Sequence, residues 1–213
     1  MVCHSGVGLT PTIDGETLHF SAGGLYNGLV LLIDDESRSY WDHITGEAVH
    51  GPRKGQRLES WNLPMTTVER ALGDDPWVRL ARSRPGFFAR VFGRMHMTRL
   101  FGRGLMPLWF HRTMGEEDKR RPRMEHGLGV VVDGEARFYP YERLAIEGTT
   151  DDWHGRPLHV AIDPEDKVPF AEWEDGVHPF QLFTRWYGFA FTYPDCDVYE
   201  GQAAPSPSAS LAR

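Results

Sequence analysis

Cysteine is nearly absent. Cys3 and Cys196 are the only two among 213 residues and stand at opposite ends of the chain. Two such residues make no disulfide framework and fit a reducing compartment, and spacing alone cannot establish a Cys3–Cys196 bridge. Long apolar runs are missing too: nothing approaches the roughly 18 uncharged residues that a bilayer span requires. The first residues do not show a basic stretch followed by an apolar segment, so no export signal is read there. Together these absences point to a cytoplasmic protein. Ser5, in His4-Ser5-Gly6-Val7-Gly8, lacks the flanking pattern of a hydrolase elbow, and neither a phosphate-cradling glycine loop nor an H-E-x-x-H helix occurs. The enzyme classes built on those motifs are disfavoured.

What is present suits a folded chain. A hydrophobic share of 40% and a charged share of 25% are ordinary for globular proteins and argue against disorder through the body of the chain. The length supports one substantial core, and we expect a single compact domain over residues 1–200. Strand-rich halves at 1–75 and 124–200 flank a basic, aromatic insertion at 76–123. The end, Gly201 to Arg213, is rich in Pro, Ser and Ala and reads as a disordered tail. The formal charge of -7 is unevenly spread: residues 79–123 carry twelve Lys or Arg against three acids, leaving +9 there and -16 elsewhere. Such asymmetry marks either an anionic partner or a contact between a basic arm and an acidic body.

Turn and periodicity signals supply the elements. Asp14-Gly15 and Asp133-Gly134 each sit between extended apolar segments, the signature of a two-residue hairpin. The two surroundings echo one another, with Gly8 and Gly127 six residues before the turn and Phe20 and Tyr139 six after the Asp; two related β units or coincidence would both produce this. Leu29 to Ile33 is an apolar run bounded by Asn27-Gly28 and Asp34-Asp35, which predicts a strand buried on both faces. Thr66 and Glu69 form a capping box for a helix over 66–72 that Gly73 would stop. A second short helix is expected over 140–146, and a strand at His159–Ile162. Residues 182–193 satisfy both periods, with Leu182, Trp186 and Ala190 at helical spacing and Phe183, Arg185, Tyr187, Phe189 and Phe191 alternating. Pro194 ends the segment either way. The expected fold class is α+β, mainly antiparallel β with short helices and a basic, partly helical insertion.

The stretch from Gly23 to Glu59 is the most distinctive. Its glycine-rich loop at Gly23-Gly24, strand at Leu29–Ile33, acidic turn, Ser39-Tyr40-Trp41 and Thr45-Gly46-Glu47-Ala48 resemble the bacterial domain-of-unknown-function family 3179. The later Leu128-to-Leu144 stretch and the aromatic run ending at Tyr193-Pro194-Asp195 are similar to that family's second half. The resemblance covers residues 1 to about 64 and 124 to about 199. It implies a fold but carries no activity. It also implies a Cys-x-x-Cys element of which only Cys3 is present, so we expect a start inside that element, through either a reading frame that truly begins upstream of Met1 or a natural truncation.

Three functions use these residues. Cys3 and His4, with His19 and His43, offer thiolate and imidazole ligands for a transition metal ion or, with a second cysteine, dithiol redox chemistry. Asp42, His43, Glu47 and His50 form a cluster of acids and imidazoles that could act as general acid and base if a turn at Gly46 brings them together. Arg90, Arg94, Arg99 and Arg103 recur among Phe, Met, Leu and Trp over residues 87–112, a pattern suited to an anionic membrane surface or to covering the protein's own core. The acidic remainder argues against nucleic acid as the partner of those arginines. The first reading leads, as a metal-associated or redox-linked binding module, because it uses the element to which the resemblance points.

Overall fold

The computed structural model of the chain describes residues 6–79 and 112–201. Within them, four two-residue turns lay out the strands: Asp14-Gly15, Asn27-Gly28, Asp133-Gly134 and His154-Gly155, all with positive φ at both positions. That backbone matches the right-handed twist of the strands on either side, which is why Asp, Asn and Gly recur there. In the N-terminal half, the first two turns close the hairpins β2–β3 (Thr12–Ile13, Glu16–Thr17) and β4–β5 (Phe20–Tyr26, Leu29–Asp34). The second hairpin continues through β6 (Tyr40–Asp42) and β7 (Ala48–His50) as an antiparallel meander. A separate antiparallel pair joins β1 (Gly8–Leu9) to β8 (Ser60–Trp61).

The C-terminal half stacks two sheets. The hairpin β9–β10 (His126–Val132, Glu135–Pro140) forms the centre of one. Its neighbours in space come later in the chain. The first meander strands, β11 (Thr149–Trp153), β12 (Arg156–Ile162) and β13 (Pro169–Trp173), make the second sheet in antiparallel order. Then β14 (Phe180–Arg185) returns to pair antiparallel with β9, and β15 (Asp197–Val198) pairs parallel with β10. Every other pairing between strands is antiparallel. Among the described residues there are two short α-helices, α1 (Val68–Asp74) and α2 (Trp186–Thr192), and a 3-10 turn at Tyr141–Arg143.

Strand β9 has different neighbours on its two faces. Leu128 and Val130 point to the second sheet and share a core with Leu158, Val160, Ala171, Trp153 and Trp173. The intervening positions are Gly127 and Gly129, and aromatic rings occupy the space their side chains would fill. A Cβ at Gly129 would lie 2.1 Å from the Phe189 ring and one at Gly127 2.4 Å from the Phe138 ring. Phe138, Phe189 and Trp186 form a second core that also takes in Leu29 and Ile44 from the N-terminal half. The N-terminal meander has its own cluster of Leu18, Trp41, Ala48 and Leu58.

That third core is built around a buried charge. Asp34 has no exposed surface, and its carboxylate accepts the Trp41 indole N–H at 2.7 Å, the Ser37 hydroxyl at 2.9 Å, the Ser39 N–H at 3.0 Å and the Ser37 N–H. Burial pushes the Asp34 carboxyl up, but the indole and serine donors outweigh it and hold it below its ordinary value. A buried charge is tolerable only with such a complete set of donors.

Several expectations change in detail. The strand at Leu29–Asp34 is half-buried in its middle rather than covered on both faces, because it belongs to an antiparallel meander with one open side. Helix α1 starts later and runs through Gly73, since Thr67, not Thr66, supplies the capping oxygen to the Arg70 N–H. The ambiguous segment resolves as both: strand to Arg185, helix from Trp186. The two Asp-Gly hairpins share a turn geometry but not a role, with two paired positions in β2–β3 and six in β9–β10. The expected helical content of the insertion falls mostly on residues 80–111, outside the described residues.

Gly129→Ala should lower stability by about 1–3 kcal/mol, because Phe189 cannot back away without opening the core. Urea unfolding monitored by tryptophan fluorescence would measure the loss, and an unchanged midpoint would refute the close approach.

Candidate functional site

The residues singled out from sequence are held by separate partners. Asp42, at the end of β6, uses its carboxylate to accept the N–H groups of Ile44 and Thr45, both at 2.8 Å, which fixes the turn leading to Gly46. Glu47 pairs with Arg57 at 2.9 Å. The exposed His50 ring sits 6.1 Å from that of Tyr40, and His43 is half-buried on the turn itself. The four thus share one hairpin, while Asp42, Glu47 and His50 each engage a different neighbour. His19 is exposed, with Nδ1 2.7 Å from the Glu36 carboxylate; that hydrogen bond and charge raise its pKa. Among the described residues no three His, Cys, Asp or Glu side chains are grouped to hold a metal ion. Cys3 and His4 lie outside the described residues, as do Arg90, Arg94, Arg99 and Arg103. Cys196 is buried. Burial pushes its thiol up to about 11, so it is an unreactive packing residue.

A lined cleft among the described residues lies elsewhere. After β8 the chain crosses the edge where β13 meets β14, and it is tied down at both ends of the crossing. At the near end, the Asn62 side chain donates to the Pro179 carbonyl at 2.7 Å and accepts the Gln181 N–H at 2.8 Å. The Gln181 side chain in turn accepts the Ala171 N–H at 2.6 Å and donates to the Ala171 carbonyl at 3.1 Å. At the far end, Asp166 accepts the Thr66 hydroxyl at 2.8 Å and the Thr67 N–H at 3.2 Å. Arg70, on α1, reaches Asp166 at 3.2 Å and Asp163 at 3.3 Å, with Glu165 at 3.6 Å and Asp74 at 3.9 Å.

Between these ties is a cleft of about 640 Å³. Leu63, Met65, Val168, Phe170, Leu182 and Phe183 give it an apolar lining, and Asn62, His178 and Gln181 supply polar groups. Arg70, Asp74, Asp163 and Asp166 form its charged side, and Gly6, the first described residue, also lines it. Two carboxyls there are held low. The N–H groups of Asp166 and Glu165, then Arg70, lower that of Asp163. For Asp166 burial works upward, but Thr66, Thr67 and Arg70 outweigh it. Sequence reasoning missed this site because it joins residues about 100 positions apart. The one local signal was the Asp163-Pro164-Glu165-Asp166 turn beside a predicted strand.

Fold and site together define a layered, mainly antiparallel β protein with a lined cleft at a sheet edge, and no helix among the described residues is long and apolar enough to cross a membrane. The sequence profile of a family described as protein of unknown function (DUF3179) matches residues 1–181, and the chain belongs to that family. No curated protein and no solved structure gives a significant match.

Asp166→Ala should free α1 from the β12–β13 turn. Amide hydrogen exchange over residues 66–74 should accelerate while that of β9 stays slow; equal protection in both forms would discount the tie. Acid should act likewise. Both carboxyls are held below their ordinary 3.8, so the tie is lost as pH falls through the lowered values. The Thr67 amide resonance should therefore titrate with a midpoint below 3.8.

Proposed function

We propose that the protein is a small-molecule binding module whose site is the cleft between residues 62–74 and the β13–β14 edge. The cleft itself carries the reading. Its volume of about 640 Å³ falls within the roughly 300–1,000 Å³ of ligand sites, and such sites pair apolar walls with a few fixed polar groups. Here Gln181 and Asn62 are immobilised by backbone partners on both sides, so the polar groups are set before a ligand arrives and little ordering cost attends binding.

A neutral apolar probe tests this. Titrating 1-decanol into protein labelled at methionine methyls should shift the Met65 signal selectively and saturably. Val168→Trp, which fills the cleft without touching its ties, should weaken the shift at least tenfold by occupying the volume. Non-saturating changes spread over all methionines would sink the reading.

A second reading has one observation in its favour. Gly6 lines the cleft, and Cys3 stands three residues before it in the sequence. A metal-associated or redox-linked role for Cys3 and His4 would then act on whatever the cleft holds. Zinc or copper bound to purified protein above background, and lost in Cys3→Ser, is the expected result; metal content at background in both forms would exclude it.

A further inference from the structure

The cleft is electrostatically one-sided. Asp74, Asp163 and Asp166 line it against the single guanidinium of Arg70, a formal charge of -2 with histidine neutral, and the neighbouring Glu165 and Lys167 leave that balance unchanged. The Arg70 guanidinium is surrounded by carboxylates, its Nη1 within 3.6 Å of Asp163, Glu165 and Asp166. Lys167, whose ammonium donates to the Pro164 carbonyl at 2.6 Å, is not part of the cleft lining. By contrast, the Asp74 and Glu165 side chains remain 75% and 77% exposed, and each is only loosely paired with Arg70, at 3.9 and 3.6 Å. Both carboxylates keep unused acceptor capacity: Asp74 lines the hollow with Met65, Phe170 and Phe183, and Glu165 adjoins the lining residue Asp166 in the chain.

We infer that the ligand of this cleft is an amphiphilic cation: an apolar body lodged among Met65, Val168, Phe170 and Phe183, with a protonated amine directed to Asp74 and Glu165. The inference rests on the reading of the cleft as a ligand site and adds the sign of the ligand's charge. An anion of the same shape would face the same carboxylates with repulsion in place of attraction, and its one possible partner is already neutralised. The apolar body contributes through the area it removes from water, equally for either head group.

Three probes that differ only in the head group separate the claims. For decylamine, 1-decanol and decanoate at low ionic strength, calorimetry should rank affinity in that order, with amine over carboxylate by about tenfold or more. Raising salt should narrow the gap, since the charges concerned are exposed. Asp74→Asn combined with Glu165→Gln should cut decylamine affinity severalfold and leave 1-decanol unchanged. Both positions are exposed, so the variant should fold. If 1-decanol binds and decanoate equals or exceeds decylamine, or if the double variant leaves the amine unaffected, the charge inference is overturned while the cleft reading stands. If none of the three binds, the cleft reading fails and the inference falls with it.

Discussion

The contact on which the layering depends is the seating of aromatic rings directly on the backbone of β9. Phe189 and Phe138 occupy the places where side chains at 129 and 127 would stand, which brings α2 closer to the sheet than any larger residue would allow. Close-packed interiors leave no slack to absorb an extra methyl there. The other face of the same strand carries Leu128 and Val130 into the opposite core. One strand therefore fixes the spacing of both cores, and the second core reaches Leu29 and Ile44 of the N-terminal meander. The β4–β7 meander meets the rest of the fold through Leu29 and Ile44 in that core.

The stretch that identifies the family works mainly as folding machinery. Asp34 and Ser39 hold Trp41 in the N-terminal core, Asp42 caps the turn before Gly46, and Glu47 pairs with Arg57 on an adjacent bridge. Acids and hydroxyls are needed there because short irregular connections leave backbone N–H groups that a sheet cannot satisfy. The surface with room for a ligand is formed by residues whose identities, taken singly, look unremarkable.

Elements governed by local rules were legible in the sequence. Asp14-Gly15 and Asp133-Gly134 announced their hairpins, Asn27-Gly28 bounded a strand, and Pro194 closed a helix, since each depends on backbone geometry within a few residues. The return of β14 to β9 was not legible, because residues 182–193 satisfy a strand period through Phe183 and Phe189 and a helix period through Leu182 and Trp186, and only tertiary packing divides them at Arg185. The cleft was less legible still. Asn62 and Asp166 carry no local mark of their partners, Pro179 and Thr66, and a single sequence carries no covariation to connect them.

The separation along the chain also sets the order in which parts come undone. The hairpins and meanders join near neighbours, but the ties that bound the cleft span 100 residues at Asp166–Thr66 and 117 at Asn62–Pro179. Closing such loops costs more chain entropy than forming a hairpin, and each tie is made by a few hydrogen bonds in solvent reach instead of a buried core. The wall of the cleft is therefore a late-forming, first-opening unit that can lift while β9 and its two cores stay intact. Local release of residues 62–74 would then open the cleft without global unfolding.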